Sequence, residues 1–166
     1  PMALTPVITE HWDDPELYTL AGYQRHGGHR ALASALKQDP DALIGIVKDS
    51  GLRGRGGAGF PTGLKWSFVP QNDGKPHYLC CNADESEPGT FKDRLLMEHD
   101  PHQLIEGCVI AGKAVGANTT YIYIRGEYTV AARILEDAIR DAYDQGILGS
   151  SVMGSTFRHD VYVHRG

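Results

Sequence analysis

The stretch GLRGRGGAGFPTGLKW, residues 51–66, is the most informative part of this chain for its fold and its ligand. It holds six glycines within residues 51–63, and Arg53, Arg55 and Lys65 place three positive charges around them. Such a run lets the main chain lie flat against another surface, because glycine carries no side chain to stand between the two.

The spacing Gly54-x-Gly56-x-x-Gly59 matches the glycine fingerprint of a dinucleotide-binding turn. In a Rossmann fold that turn follows a β-strand. Here residues 39–50 predict a helix instead, because Asp39-Pro40 is a helix start and apolar residues follow it at helical spacing. A standard dinucleotide turn is therefore disfavoured, and the run also lacks the Gly-Lys-Ser/Thr end of a Walker loop.

Two interpretations of the glycine run stay open. In the first, its main-chain N–H groups, with Arg55 and Lys65, hold a phosphate or a flat anionic ring. In the second, the run is a flexible turn or linker. Linkers favour serine and threonine, whereas this run interleaves glycine with charged and aromatic residues such as Phe60 and Trp66. The pattern favours the binding loop.

Composition excludes several classes of protein. With 166 residues the chain is long enough for one full domain and too short for two large ones. Its net charge of −5 argues against a nucleic-acid-binding surface, which is normally basic. No apolar stretch reaches about 18 residues, and the N-terminus has no basic, apolar signal region, so we expect no direct membrane contact.

Cysteine and histidine do not predict a metal site in this chain. Cys80, Cys81 and Cys108 have no Cys-x-x-Cys spacing, so neither zinc nor an iron–sulfur cluster is expected, and reduced thiols are the default. The pairs at 26/29 and 99/102 each straddle a loop or a helix start, which aligns their rings poorly.

The order of elements predicts an α/β fold: a helical N-terminal segment, residues 1–50, then a Rossmann-like parallel sheet within residues 51–166. Helix starts are expected at Asp14, Asp39 and Asp100, each followed by proline. Strand, helix, strand, helix, strand implies parallel pairing with right-handed crossovers. The expected strands are residues 78–81, 121–124 and 160–164, and the helices between them are residues 101–115 and 129–143.

An acidic loop, residues 82–90, follows the first expected strand. Asn82, Asp84, Glu85 and Glu87 leave the carboxyl end of that strand, which is where ligands bind in parallel sheets. These side chains could bind a metal, orient ribose hydroxyls or lie in a solvated turn. Residues 90–93, TFKD, predict a capping box for a short helix.

Two long motifs together carry a family resemblance. Residues 50–68, SGLRGRGGAGFPTGLKWSF, followed by residues 81–90, CNADESEPGT, resemble the NADH-binding flavoprotein subunit of respiratory complex I. The same module occurs in NAD-linked hydrogenases and formate dehydrogenases. The resemblance covers nearly the whole chain, but only the N-terminal part of the family's longer subunit.

The resemblance implies a site for FMN and NAD(H). In it the main chain of residues 54–57 lies against FMN, Lys65 neutralises or hydrogen-bonds the flavin, and Asn82 and Asp84 reach its polar edge or ribityl chain. The full set of implied cofactor-binding residues is Gly54, Arg55, Gly56, Gly57, Ala58, Gly59, Phe60, Lys65, Phe68, Asn82, Asp84, Glu85 and Glu87.

The resemblance also places NADH. Phe60 and Phe68 would stack on its adenine side, Glu87 would lie near the nicotinamide, and Glu85 is a weaker candidate. Hydride would pass from nicotinamide to flavin by contact, so no catalytic acid or base is expected from the protein. The protein supplies orientation and electrostatics while the cofactor supplies the redox chemistry.

The implied function is that of an NADH dehydrogenase subunit whose electrons go on to iron–sulfur clusters outside this chain, for quinone reduction. The family's [4Fe-4S] cluster belongs to a later part of the subunit. The expected partners are other peripheral-arm subunits, above all the small [2Fe-2S] thioredoxin-like one, on the cytoplasmic side of a bacterial inner membrane. The alternatives are the equivalent module of a hydrogenase or formate dehydrogenase, or a catalytically empty fragment. The isolated chain is expected to be inactive.

Overall fold

The computed structural model describes residues 5–71 and 73–166 of the chain. Short helices come first, and three strands with longer helices between them follow. In chain order the elements are α1 (Leu20–Arg25), α2 (Arg30–Ala35), α3 (Pro40–Asp49), α4 (Thr62–Trp66), β1 (His77–Ala83), α5 (Lys92–His99), α6 (Pro101–Val115), β2 (Ala117–Ile124), α7 (Thr129–Asp144), a 3-10 turn (Val152–Gly154) and β3 (Asp160–Arg165).

The three strands form one parallel sheet in the order β1-β2-β3. Cys81 pairs with Ile122, and Ile122 pairs with Val163 across the next ladder. Helices α5 and α6 connect β1 to β2, and α7 connects β2 to β3. The predicted parallel α/β architecture is confirmed, and each strand is longer than the sequence indicated.

The core lies between the sheet and helices α6 and α7. Ile122 and Ile124 of β2 pack there with Ile105 of α6 and Leu135 of α7, and all four side chains are fully buried. Leu32 of α2 belongs to the same core. The N-terminal helices therefore share a core with the sheet, while the boundary at residues 50/51 stays a prediction.

One face of the sheet carries a row of exposed tyrosines. Tyr121 of β2 has its ring centroid 6.2 Å from Tyr78 of β1 and 5.7 Å from Tyr162 of β3. All three side chains are exposed.

The helix start expected at Asp14 is wrong. Asp14 lies in a turn, where its carboxylate accepts the N–H of Glu16 at 2.9 Å and a hydrogen bond from Arg25 at 3.0 Å. The first α-helix begins at Leu20, and the Thr19 hydroxyl caps it by accepting the N–H of Gly22 at 3.0 Å. The carboxylate stabilises a turn here because its partners are the amide of Glu16 and the side chains of Arg25 and His26, which follow 11 and 12 residues later.

The predicted start of α6 is confirmed. Asp100 is its N-cap and accepts the N–H of Gln103 at 3.1 Å, and Pro101 occupies the first turn. Further along α6, Glu106 accepts the main-chain N–H groups of His29 and Leu32 at 2.8 Å each, together with the Tyr23 hydroxyl. Three hydrogen bonds from the α1–α2 region to one buried carboxylate fix those helices on α6.

Candidate functional site

The glycine run forms a loop that closes on itself between α3 and α4. Gly54 donates its N–H to the Phe60 carbonyl at 2.9 Å, and Thr62 donates to the Leu52 carbonyl at 2.9 Å. The Arg53 guanidinium also donates to the carbonyl of Gly59 at 3.1 Å. These bonds fix the base of the loop and leave its tip free.

The tip of this glycine loop is open main chain. Within the part of the chain that the structure describes, none of the N–H groups from Arg55 to Gly59 donates a hydrogen bond. A Cβ built on Gly56, Gly57 or Gly59 would meet no atom within 4 Å. Gly57 and Gly59 adopt φ of 96° and 62°, a conformation that favours glycine. The loop thus presents bare donors on a surface without side chains.

Charged and aromatic groups surround the loop. Arg55 and Lys65 are exposed. Phe60 and Phe68 are 45% and 65% exposed, with ring centroids 6.3 Å apart. Two large apolar rings left in solvent beside exposed cations are the kind of surface that a ligand covers.

Close packing of two helices sets the direction of α4, which carries Lys65. Gly63 of α4 lies against α3, where an added Cβ would come within 2.5 Å of the Lys48 main-chain nitrogen. Only glycine lets the two helices approach this closely. This contact fixes where Lys65 leaves the helix relative to the glycine loop.

The acidic loop begins at the carboxyl end of β1, as predicted. Asn82 accepts the N–H of Asp84 at 2.9 Å, and Ser86 donates its hydroxyl to Asp84 at 2.5 Å. Asn82, Asp84 and Glu87 are exposed. Three of the four polar side chains therefore face solvent at the sheet edge where ligands of parallel sheets bind.

Glu85 differs from its neighbours, because it points inward and is only 4% exposed. Its two carboxylate oxygens accept the N–H groups of Asp93 at 2.9 Å and Arg94 at 3.1 Å, and the Lys92 ammonium lies 3.8 Å away. Burial raises the pKa of Glu85, but those hydrogen bonds, the Lys92 charge and the Tyr128 hydroxyl outweigh burial and hold it below its usual range. Glu85 is an ionised cap on the N-terminus of α5.

The capping box predicted at residues 90–93 is wrong. Phe91 is the N-cap residue of α5 and makes no side-chain cap. The Thr90 hydroxyl donates instead to the Glu87 carbonyl at 2.5 Å, which closes the turn before the helix. The N-terminus of α5 is capped instead by Glu85, which lies in the acidic loop. The hydrogen bonds of this one carboxylate therefore connect the acidic loop to the start of α5.

Arg125 and Tyr128, which are outside the predicted set of site residues, hold the acidic loop through Glu85. Arg125 donates to the Glu85 carbonyl at 3.2 Å, and the Tyr128 hydroxyl lies 3.3 Å from the Glu85 carboxylate. Both follow β2, the neighbour of β1. The carboxyl ends of parallel strands lie at one edge of the sheet. The position of both residues directly after β2 could therefore have predicted that they lie beside the loop that follows β1.

The glycine loop and the acidic loop are not bonded to each other directly in the described part of the chain. No hydrogen bond or ion pair joins them within residues 5–71 and 73–166. Three cavities, with volumes of about 460, 380 and 380 Å³, are lined by residues outside the predicted set. A combined site built from both loops stays a prediction.

His99 and His102, one of the two histidine pairs that are not expected to bind a metal, occupy packing positions. His99 stacks on Trp12 with centroids 4.8 Å apart, and the buried His102 stacks over Tyr23 at 6.0 Å. In the part of the chain that the structure covers, no group of three or more His, Cys, Asp or Glu side chains is arranged to hold a metal ion.

A parallel sheet covered by helices on one face, with an exposed glycine loop and a polar loop at a strand's carboxyl end, defines a Rossmann-like α/β protein. Comparison with known proteins narrows this class. The protein-family model of the Nuo51 FMN-binding domain matches residues 47–166, and the chain belongs to that family.

Curated relatives agree with this assignment. The chain is 57% identical over 162 residues to an NADH-quinone oxidoreductase subunit of Rhizobium meliloti (strain 1021), and 56% identical over 170 residues to the corresponding NADH-quinone oxidoreductase subunit of Mycobacterium tuberculosis (strain ATCC 25618 / H37Rv). These alignments cover 97% and 98% of the chain but 38% of each relative. The chain thus spans about two fifths of the length of the relatives it matches, and the resemblance inferred from the motifs is confirmed.

A solved structure is similar as well. A chain of the NAD+-reducing [NiFe]-hydrogenase in its air-oxidized state matches with a TM-score of 0.67 and 32% identity, over 97% of this chain and 25% of that one. The H2-reduced state gives a TM-score of 0.66 and 38% identity, over 80% and 23%. Among the residues that the structure describes, no helix has both the length and the apolar character needed to span a bilayer.

Proposed function

We propose that this chain forms the FMN- and NADH-facing part of an NADH:quinone oxidoreductase flavoprotein subunit. The observation that carries the proposal is the open tip of the glycine loop, where the N–H groups from Arg55 to Gly59 have no partner in the described structure. That loop lies within the segment that matches the Nuo51 FMN-binding domain. Unpaired main-chain donors on a surface without side chains suit a phosphate or a flat ring.

The residues around the loop fit FMN. Its phosphate and ring carry negative charge or acceptor atoms, and Arg55 and Lys65 are exposed cations on the glycine loop and on α4. The absence of any atom within 4 Å of a Cβ at Gly56 leaves room for close approach of a planar group. Bound FMN would supply hydride-accepting redox chemistry, and the protein would supply orientation.

The acidic loop provides polar contacts. Asn82 and Asp84 are exposed at the end of β1 and can hydrogen-bond hydroxyl groups of a ribityl chain. Glu87 is exposed two residues beyond the buried Glu85, and in this proposal it lies near the nicotinamide of bound NADH. Glu85 itself acts as a positioning residue, because its carboxylate is held by the N–H groups at the start of α5.

The aromatic pair provides a surface for the other end of NADH. Phe60 and Phe68 are large, exposed rings 6.3 Å apart beside the glycine loop. Adenine stacks well on such rings, because aromatic faces attract each other and apolar area is removed from water. No acid or base from this chain is needed, since hydride moves by direct contact between the two cofactors.

In this proposal the electron acceptors of FMN lie outside this chain. The iron–sulfur clusters, including the family's [4Fe-4S] cluster, are placed outside this chain, because Cys80, Cys81 and Cys108 lack cluster spacing. The small [2Fe-2S] thioredoxin-like subunit is the proposed direct partner, within a complex at the cytoplasmic side of a bacterial inner membrane.

A double variant of the complete protein tests the site. We expect Lys65→Ala with Asn82→Ala to lower FMN content at least tenfold, read from the flavin absorbance bands, and to lower NADH:ferricyanide activity in parallel. The matched control is Lys37→Ala with Asn118→Ala, which changes a lysine and an asparagine away from both loops. Unchanged flavin affinity and activity in the first variant would refute the site.

A second candidate function is supported by the structural match to the NAD+-reducing [NiFe]-hydrogenase, with a TM-score of 0.67. In that case the same module would exchange electrons with hydrogenase subunits. Purification of the native complex separates the two, because its partner subunits and its acceptor, quinone or protons, differ. An absorbance scan of the purified 166-residue chain tests the third possibility, an empty fragment, since stoichiometric FMN would exclude it.

A further inference from the structure

Two cysteines on different elements meet beneath the acidic loop. Cys81 lies on β1, immediately before Asn82, and Cys108 lies in the middle of α6, which packs on β1. Cys108 is 4% exposed and Cys81 is partly exposed. Both side chains line one apolar cavity of about 380 Å³, together with Leu79 and Leu104. Cys80, the neighbour of Cys81, points to the opposite, exposed face of β1.

Both thiols line this one cavity, and the contact between them shifts their pKa values in opposite directions. The hydrogen bond with Cys108 lowers the pKa of Cys81, although burial and the charge of Asp93 oppose it. The same contact, followed by burial, raises the pKa of Cys108. Cys81 is therefore the better nucleophile of the pair, and it is also the one that solvent reaches.

We propose that Cys81 and Cys108 are a redox-active pair that closes to a reversible disulfide when a hydroperoxide enters the cavity beside them. The Cys81 thiolate attacks the peroxide, its sulfur bonds to one oxygen as the O–O bond breaks, and the second oxygen leaves as water after taking a proton. Cys108 then attacks the sulfenic sulfur, which forms the S–S bond and releases a second water. Two thiols and one hydrogen peroxide thus give one disulfide and two waters.

The disulfide would act on the candidate site through the chain that it encloses. The covalent loop would contain residues 82–107, which include the acidic loop and all of α5. Because Asn82 is bonded to Cys81, the bridge would restrain the start of the acidic loop against α6. We therefore expect oxidation to change the FMN affinity of the holoprotein severalfold. This second step rests on the proposed function, whereas formation of the disulfide does not.

Peptide mapping tests the bridge directly. The complete protein in its complex, carrying Cys80→Ser, is titrated with hydrogen peroxide, alkylated at low pH and digested with trypsin without reductant. Trypsin cuts after Lys65, Lys92, Arg94 and Lys113 but not at Lys75-Pro76, so Cys81 and Cys108 fall in peptides 66–92 and 95–113. We expect these peptides to be joined after oxidation and separated by dithiothreitol. Sulfinic acid on Cys81 beside an alkylated Cys108 would overturn the proposal.

The FMN readout tests the coupling. FMN dissociation constants are compared for the oxidised and reduced forms of the Cys80→Ser protein and of its Cys108→Ala derivative, whose alanine suits the buried site. We expect a severalfold, dithiothreitol-reversible shift in the first and none in the second. If the two peptides are joined but the FMN affinity is unchanged, the disulfide forms without affecting the FMN site, and the coupling is refuted. If the reduced protein contains no FMN, the proposed function is refuted, and peptide mapping still decides whether the disulfide forms.

Discussion

The carboxylate of Glu85 accepts the main-chain N–H of Asp93 at 2.9 Å, so the acidic loop and the start of α5 are held by one side chain. The carbonyl of Glu85 accepts a hydrogen bond from Arg125, which follows β2. Glu85 is thus held from α5 and from β2 at once. Asp84 and Glu87 are exposed on either side of Glu85. Because Glu85 is fixed, the main chain that carries these two side chains is also held in place, although Glu85 itself is buried.

Removal of this cap should destabilise the protein. We expect Glu85→Ala to lower the free energy of unfolding by about 1–2 kcal/mol, as for the loss of a helix cap. Urea denaturation at neutral pH measures the effect. The matched control is Glu87→Ala, an exposed carboxylate in the same loop, for which we expect a change within about 0.5 kcal/mol. Equal effects of the two substitutions would contradict the capping role.

His102 should make the protein less stable in mild acid. Burial, with a smaller effect of His29, lowers the pKa of His102 from 6.5 to about 4. Below pH 6.5 the unfolded chain binds a proton that the folded chain does not, so stability present above that pH is lost as the pH falls towards 4. The full loss is at most about 3 kcal/mol, because each tenfold change in proton affinity corresponds to roughly 1.4 kcal/mol.

The variant His102→Phe isolates this effect, because it keeps a ring over Tyr23 and removes the titrating group. We expect its free energy of unfolding to fall less than that of the wild type between about pH 6.5 and pH 4. The control is His164→Phe at an exposed position. A His102→Phe profile parallel to that of the wild type would show that His102 titrates normally.

Asp100 should change the free energy of unfolding in the opposite direction, so that stability falls as the pH rises. Burial, helped by the charge of Glu106 and opposed by the Gln103 hydrogen bond, raises the pKa of Asp100 from 3.8 to about 6. The folded state holds this proton to higher pH than the unfolded state, so its contribution is fully present below pH 3.8 and is lost as the pH rises through 6.

We therefore expect Asp100→Asn to be more stable than the wild type by about 1–3 kcal/mol at neutral pH and nearly equal to it near pH 4. Asparagine keeps an oxygen that can accept the N–H of Gln103. Asp39→Asn is the matched control, since Asp39 also precedes a proline at a helix start but is exposed. If thermal or urea unfolding shows that Asp100→Asn is less stable than the wild type at neutral pH, the prediction is wrong. The surroundings of Asp100 would then offset the cost of burying its ionised carboxylate.

Two glycines of the same run should separate folding from binding. Gly63→Ala places a methyl group 2.5 Å from the Lys48 main-chain nitrogen, and we expect a cost of about 1–3 kcal/mol in unfolding free energy. Gly56→Ala meets no atom within 4 Å, so we expect stability within about 0.5 kcal/mol of the wild type but weaker FMN binding. Urea denaturation and flavin titration measure the two effects. Normal FMN affinity in Gly56→Ala would argue against close approach at that position.

Local signals in the sequence predicted much of the fold. Asp39-Pro40 and Asp100-Pro101 begin helices α3 and α6, because proline has the right φ and lacks the N–H that a first turn leaves unpaired. The same signal failed at Asp14, where Arg25 and His26 draw the carboxylate into a turn. The failure has a tertiary cause, since those partners lie 11 and 12 residues away.

The sequence by itself determined the parallel α/β order, the family and the position of Asn82, Asp84 and Glu87 at the carboxyl end of β1, because these follow from short-range patterns and from where strands end. The tertiary structure decided which polar groups turn inward. Glu85 caps α5 although it lies in a row of acidic residues, and Glu106 binds amides 74 and 77 residues away. The pairing of Cys81 with Cys108 likewise depends on how α6 packs on β1. Buried polar groups take whichever partners the packed elements bring within reach, and no local pattern encodes that choice.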